Sequence, residues 1–475
     1  MRDLDVAIVG GGPAGLMAAL EIISNSRRDL KVAIFDKGKR VTDRKCPLAI
    51  KTGNSDGFHT FNNKVECLNC KVCNVIYGIG GAGALSSGTL NLRPDIGGEL
   101  DKLVGDWDYA EELLKHVDRV FVSFGVPEDT LYVPDKEKIT LLERLAAKAG
   151  AEYVPTPQRI IGTDIMIKVI DNLSTYLERN GVRILTETSV TNIMKSSNIF
   201  KLSTSQGEFT ARKVLLAPGR GGSSWFQKIL KNLNIEYEPG PLDVGVRVEV
   251  PSYVTEDVTT INPDPKIVLY TKFYDDKVRT FCTNPRGFVV QEKYEDGTIG
   301  VNGVSFRNLK SRNTNFALLV TIKLTDPYSD AIELGKSIAI IANRVGVGKP
   351  IIQRLGDLER GRRSTWERIE RSVVKPTLKN VTPGDIGVVL PYRVIINLLE
   401  AIKRLNILYP GLYSPQTILY APEIKYYSLK VKTDRNLQTS VEGIFVAGDG
   451  AGLSRGLNIA AATGVIAGRA ILQSF

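Results

Sequence analysis

The chain is short of the residues that side-chain catalysis most often draws on. Only two of its 475 residues are histidine, His59 and His116, and they lie far apart. A multi-histidine metal site is excluded, and a serine–histidine–acid triad has almost no candidates. Methionine (4) and tryptophan (3) are scarce as well. Few Met, His and Gln beside many Lys, Arg, Glu and Ile is the balance expected of a thermophilic source. No apolar run is long enough to span a bilayer and no signal-peptide pattern appears, so the cytoplasm is the expected compartment, without a membrane span. Internal repeats and low-complexity tracts are absent. The formal charge of +10 is spread along the chain rather than gathered in a tail. It permits a nucleic-acid or acidic partner and points to neither.

What is present is concentrated at the two ends. Asp5-Val6-Ala7-Ile8-Val9 has the length of a buried strand, and Gly10-Gly11-Gly12-Pro13-Ala14-Gly15 follows at once. Leu16 to Ile23 then reads as a helix of small and apolar residues, and Lys31 to Phe35 as a second strand ending at Asp36. A G-x-G-x-x-G in that context is a dinucleotide-binding fingerprint. Gly10 permits the tight turn, Gly12 lets the backbone approach a pyrophosphate, and Gly15 lets the helix pack close to the strand. The helix N-terminus offers free N–H groups to the anion, and Asp36 is placed to accept hydrogen bonds from a ribose diol. At the other end, Gly443 to Ala447 reads as a buried strand, then Gly448-Asp449-Gly450-Ala451-Gly452, then a small-residue helix over Asn458–Leu472. A sheet begun near residue 5 and completed near residue 447 requires a second domain inserted into the first, and 475 residues suit two domains.

Between the ends, Gly78 to Gly88 is a glycine-rich loop whose second G-x-G-x-x-G lacks a following helix; it is read as lying against a cofactor. Ala110–Phe124, Lys138–Ala149 and Asp164–Asn180 carry helical periodicity, the last with Thr163 or Asp164 as N-cap. Val182–Leu185, Val190–Met194, Phe200–Thr204 and Lys213–Ala217 read as strands. From Pro241 the pattern alternates apolar and polar with turn residues between, predicting antiparallel hairpins up to Val304. Ala331–Val345 and Val394–Leu405 return to helix.

Four of the five cysteines, Cys46, Cys67, Cys70 and Cys73, fall in one short stretch. C-x-x-C-x-x-C with an upstream Cys-Pro suits iron–sulfur ligation, thiolates also suit zinc, and disulfides or free thiols are the third option. An iron–sulfur centre beside a redox cofactor would form an electron-transfer chain; zinc would pin the loop. Cys282 stands apart and is expected to be buried packing in preference to a redox role. Arg360, Arg362, Arg363, Arg368 and Arg371 surround Trp366. They would dock a phosphate-bearing substrate, a nicotinamide dinucleotide phosphate or RNA, or else form a salt-bridged helical face with Asp357, Glu359, Glu367 and Glu370.

The opening fingerprint, Leu215-Leu216-Ala217-Pro218-Gly219 and Gly443-Ile444-Phe445-Val446-Ala447-Gly448-Asp449 together resemble the two-dinucleotide-binding-domain flavoproteins of the glutathione-reductase type. A closer resemblance, through Gly78–Gly88, Arg279–Cys282, Asn313–Leu318, Arg362–Thr365, Pro383–Asp385 and Leu419–Lys425, is to the "FAD-dependent dehydrogenase" (NAD-utilising dehydrogenase-like) family of archaea and bacteria, which has no settled substrate. Where that family leads one to expect Ser-Asp-Gly-Lys, this chain has Ser86-Ser87-Gly88-Thr89. The resemblance implies an α/β fold: a Rossmann-like FAD-binding domain with an inserted α+β, antiparallel-sheet substrate domain. The FAD-binding parts would be 1–104 (with the Cys-rich loop 46–73), 158–243 and 432–475, with a helical insertion over 105–157 and the cap over 244–431. It implies FAD held by Gly10, Gly12, Pro13, Ala14, Gly15, Asp36, Lys37, Arg44, Gly81, Ala82, Gly83, Val190, Ala217, Gly219, Gly448, Asp449, Gly456, Leu457 and Asn458. Asp449 would accept hydrogen bonds from the ribityl hydroxyls. The activity implied is an FAD-dependent oxidoreductase moving hydride between a small-molecule substrate and flavin N5. Electrons would come from NAD(P)H bound transiently or from a protein donor such as a ferredoxin. Arg279, Glu423 and Lys425 would face the flavin, to orient a substrate carboxylate or transfer a proton, or would close an ion pair between domains. The rival readings are an RNA-modifying flavoprotein, a non-redox enzyme of the thiazole-synthase type and a binding-only flavoprotein.

Overall fold

The opening strand, Arg2–Val9, is fully enclosed from Val6 to Val9 and runs into the turn at Gly10–Gly12. Pro13 then starts a helix that ends at Asn25. Proline fits there because the N–H it lacks would have had no partner in the first turn. The computed structural model describes residues 2–46, 70–85, 88–294, 296–323, 330–426 and 429–475.

This strand belongs to a seven-stranded sheet in a mixed α/β fold. The order is Arg183–Leu185, Val32–Phe35, Arg2–Val9, Gly207–Leu216, Ile199–Thr204 and Val190–Ser196. Ile444–Val446 pairs in parallel with the last residues of Gly207–Leu216, so one strand carries the opening strand on one edge and the closing strand on the other. The final helix, Leu457–Gln473, packs along the first helix. Small residues make the contact: a Cβ on Gly464 would lie 2.1 Å from the Ala14 carbonyl oxygen, and one on Gly468 would lie 2.8 Å from that of Ala18.

The second unit is an eight-stranded sheet, ordered Thr382–Pro383, Ile351–Arg354, Ile418–Tyr426, Leu242–Pro251, Asn313–Ile322, Lys277–Asn284, Lys266–Tyr270 and Ala151–Val154. All but its first pair are antiparallel. Alternation along Leu242–Pro251 sorts the two faces, as period 2 requires. Val244, Val246, Val248 and Val250 enter an apolar core with residues of the helices Ala331–Val345 and Tyr392–Leu405. Asp243, Arg247 and Glu249 point the other way and are buried nonetheless.

Two local expectations change. The domain bounds expected from the resemblance put 105–157 in a helical insertion to the FAD-binding domain. In the structure the helix Lys136–Lys148 and the strand Ala151–Val154 join the eight-stranded sheet, because Leu142, Ala146, Ala149 and Tyr153 bury their faces in its core. The helix Thr163–Arg179 is capped at Gly162, not by Thr163 or Asp164. Gly162 sits at φ +87°, and the Asp164 carboxylate accepts N–H bonds from Arg307 (2.9 Å) and Asn308 (3.2 Å) instead. Among the described residues no helix is long and apolar enough to cross a membrane.

Since Gly464 meets backbone rather than a flexible side chain, Gly464→Val forces the first and last helices apart. It is expected to cost at least about 3 kcal/mol, the upper end for overpacking, read from the shift of the urea unfolding midpoint.

Candidate functional site

The two sheets line one open cleft, and the elements read from both ends of the sequence meet on its wall. Gly10, Gly12, Pro13, Ala14, Asp36, Gly81, Ala82, Gly83, Ala217, Gly219, Gly448, Asp449, Gly456 and Leu457 all line it.

The glycines there do different jobs. Gly10 has φ +112°, and a Cβ on it would lie 2.0 Å from the Ala217 carbonyl oxygen. Gly15 is not on the wall; its Cβ would lie 2.0 Å from the Gly10 carbonyl oxygen, so it sets how close helix and turn come. Gly12 is the opposite case, with ordinary φ of −75° and nothing nearer to its Cβ position than the Gly81 Cα at 3.8 Å. The space above Gly12 is open cleft. The helix that follows has no side-chain cap and no acid in its first turn, leaving its N–H groups to the cleft. Leu457–Gln473, capped by Gly456, likewise starts at the cleft wall without a capping side chain or an acid.

Asp36 is fixed before anything binds. Its Oδ2 accepts the Gly11 N–H at 2.9 Å and its Oδ1 the Gly38 N–H at 2.8 Å, with lone pairs remaining for a ligand. Asp449 accepts the Ser454 hydroxyl, and Arg220 stands 4.0 Å from it. Burial pushes the Asp449 carboxyl up, and the Arg220 charge and Ser454 bond offset this only in part. Asn458 is buried behind the wall; its amide donates to the carbonyls of Asn91 and Ile96, while its Oδ1 has no hydrogen-bond partner among the described residues. An unsatisfied buried acceptor costs about 1–3 kcal/mol.

Lys37, Arg44 and Val190 also lie off the cleft wall. Lys37 Nζ sits 3.9 Å over the Tyr77 ring, and Val190 opens an edge strand of the first sheet. Arg44 is fully buried and donates to the carbonyls of Asn74 (2.9 Å), Val75 (3.0 Å) and Ile79 (2.8 Å). Burial brings its guanidinium down to about 10. Its work is to hold the 70–79 segment under the cleft.

The antiparallel sheet closes the cleft with its polar face. Arg279 lines it, donating to Asp243 at 2.6 Å with its guanidinium 4.8 Å from the Phe281 ring centre. Glu423 and Lys425 are not on the wall, and among the described residues their ion pairs stay within one sheet. Glu423 takes both branches of Arg247, at 2.7 Å and 2.5 Å, and Lys425 Nζ lies 3.0 Å from it, all three within the same sheet and buried. Burial alone would push the Glu423 carboxyl up; Arg247 and Lys425 overcome it and hold the group below the ordinary carboxylate value. Arg247 carried no signal in the sequence. Its remaining N–H groups reach Asn315 and Asn302 (both 3.2 Å) and the Cys282 carbonyl (2.9 Å). Cys282 sits at φ +48° where the register shifts between Phe281 and Asn284; it is on the cleft wall rather than in core packing, and burial pushes its thiol up. Lys266, paired with Asp264, also lines the cleft and was not legible beforehand.

Of the clustered cysteines, Cys67 lies outside the described residues. Cys73 Sγ accepts backbone N–H bonds including that of Lys293, and burial pushes its thiol up. Among the described residues no group of three His, Cys, Asp or Glu side chains is placed to hold a metal. In the arginine-rich segment, buried Asp357 binds Arg362 and Ser364 at 2.8 Å each, and Arg368 donates to the Arg363 carbonyl at 3.0 Å. None of these arginines lines the cleft.

Residues 241–426, nearly the span of the antiparallel sheet, match the family described as "FAD-dependent protein, C-terminal domain-like". Over 98% of its length the chain is 24% identical to an uncharacterised protein of Clostridium beijerinckii, covering 80% of that protein. A stretch of 95 residues, 18% of the chain, is 37% identical to 27% of a ferredoxin–NADP reductase of Leuconostoc citreum. Among solved structures the chain is similar to L-proline dehydrogenase from P. horikoshii, with TM-score 0.45 and 10% identity over 100% of this chain and 94% of that one. It is similar to glycine oxidase from Geobacillus kaustophilus with TM-score 0.43 and 14% identity, over 100% and 95%. Identities this low carry no residue roles across.

The raised carboxyl of Asp449 has a stability consequence. Below about pH 4, near the ordinary aspartate value, Asp449 is protonated in folded and unfolded chains alike and costs nothing. As pH rises, the unfolded chain ionises first and the folded state loses stability by the difference. Asp449→Asn removes that term. The ligand-free variant is expected to melt higher than the parent at pH 7, with the gain shrinking toward pH 4, as followed by calorimetry.

Proposed function

We propose that the protein is an FAD-dependent oxidoreductase acting on a small molecule. The observation that carries this reading is the cleft itself. A helix N-terminus with an open glycine before it, an acid pre-oriented by two backbone N–H groups, and a second acid followed by a second uncapped helix face one long space. An NAD-sized ligand needs the first two; a dinucleotide extended by a ribityl chain and a tricyclic ring also needs the other pair.

The residues present fit that group. Gly12 and the N–H groups after Pro13 would take the pyrophosphate, Asp36 the ribose diol and Asp449 the ribityl hydroxyls. Asn458 Oδ1, buried and unpartnered beside Gly97 and Gly456, is an acceptor suited to a ring N–H. When bound, FAD supplies two-electron redox chemistry. The chain's own share is to hold and cover it: the polar face of the antiparallel sheet excludes bulk water, and Arg279 and Lys266 offer fixed donors to a substrate. Arg247, Glu423 and Lys425 act one layer below, keeping that face rigid. Electrons arrive from NAD(P)H at the open cleft or from a protein donor, and the clustered cysteines would serve an iron–sulfur centre or zinc.

The test is a visible absorption spectrum of protein purified without oxygen, with metal analysis on the same sample and the released nucleotide identified. Flavin bands and stoichiometric FAD are expected; an empty protein that takes up no added FAD overturns the reading. Gly12→Ala sharpens it. Its Cβ meets nothing closer than 3.8 Å in the protein, so folding should hold while FAD affinity falls on the order of tenfold or more, about 1.4 kcal/mol. Unchanged FAD affinity in that variant would place the nucleotide elsewhere.

A further inference from the structure

Three cations crowd one part of the cleft wall, and they come from both units. Lys277 and Arg279 lie two residues apart on the strand Lys277–Asn284 and so share a face of the antiparallel sheet. Arg455 precedes the final helix, and its backbone N–H is anchored to the Gly97 carbonyl at 2.7 Å. All three line the cleft. Asp243, just below, is engaged by Arg279 at 2.6 Å and by the Thr321 hydroxyl at 2.7 Å. Lys266 and Asp264 form their own pair elsewhere on the wall. Partial burial and the neighbouring charges of Arg279 and Arg455 hold the Lys277 ammonium below its ordinary value. Asp243 and Glu152 oppose that lowering without reversing it, and the Arg455 charge also acts on Asp243 and Asp449.

None of the three belongs to the glycine turn that faces a pyrophosphate, so their charge is surplus to that role. Like charges gathered from two separate units at a cleft favour an anion bridging them, and the Arg279 guanidinium is held in place by Asp243 and against the Phe281 ring. We propose that Lys277, Arg279 and Arg455 form a subsite for an anionic group on the substrate, a carboxylate or a phosphate. The inference rests on the flavoprotein reading for the identity of the site, but the anion subsite is measurable without it.

The experiment titrates the full chain, loaded with FAD, with acetate, inorganic phosphate and neutral acetamide, following the flavin spectrum and the heat of binding. At least one anion should bind saturably while acetamide does not, and the tighter of the two identifies carboxylate or phosphate as the natural group. Lys277 is exposed at the wall and its replacement leaves the core intact. Lys277→Met should weaken anion binding on the order of tenfold, as loss of a charged hydrogen bond does, with Lys277→Arg within about threefold of the parent. Arg455→Met should weaken it similarly. Binding of neither anion, or equal binding by parent and Lys277→Met, overturns the subsite even when FAD is fully bound. Should the protein hold no flavin, the calorimetric arm still decides the subsite, so the two readings fail separately.

Discussion

Everything in this molecule depends on how closely the first helix and the last one approach. Their contact is backbone against backbone, glycine facing alanine carbonyl, and no larger residue fits between them. Because they touch, the glycine turn at residues 10–12 and the Asp449 turn open onto the same space. Were the helices a side chain further apart, two half-sites would remain and no continuous cleft. The strand Gly207–Leu216 makes the same join in the sheet, pairing with the opening strand and the closing strand at once.

The antiparallel sheet solves a different problem. One face is an ordinary valine-rich core. The other is buried and polar, which is stable only if every charge is matched. Arg247 supplies the matching: it satisfies both oxygens of Glu423 and pins the carbonyl of a residue in left-handed conformation. The sheet thus presents a firm polar lid to the cleft, with Lys266, Lys277, Arg279 and Cys282 among the residues that reach it.

How much of this was legible in the sequence follows from where the partners lie. The turn at Gly10–Gly15 and the acid at Asp36 were legible because strand, turn, helix and acid are local, and their spacing is dictated by one supersecondary unit. The strand Asn313–Ile322, central to the second sheet, was not, since its polar start Asn313-Thr314-Asn315 lacks alternation until Arg247 and Glu249 supply buried partners. Arg44 resembled a cofactor contact by position alone; its three carbonyl partners come from the segment 74–79, a distance no local pattern reveals. Glu423 and Lys425 were singled out as charged residues in a strand, and their role turned on Arg247, 176 residues from Glu423.

The order of the chain also sets an order of assembly. The turn after the strand Ile444–Val446 and the start of the helix Leu457–Gln473 follow the glycine turn by more than 430 residues, yet Gly448, Asp449, Gly456 and Leu457 share the cleft wall with it. While the ribosome still shields them, the growing chain can form the glycine turn but cannot enclose anything against it. A site built from both stretches is therefore complete only after these residues have been synthesised.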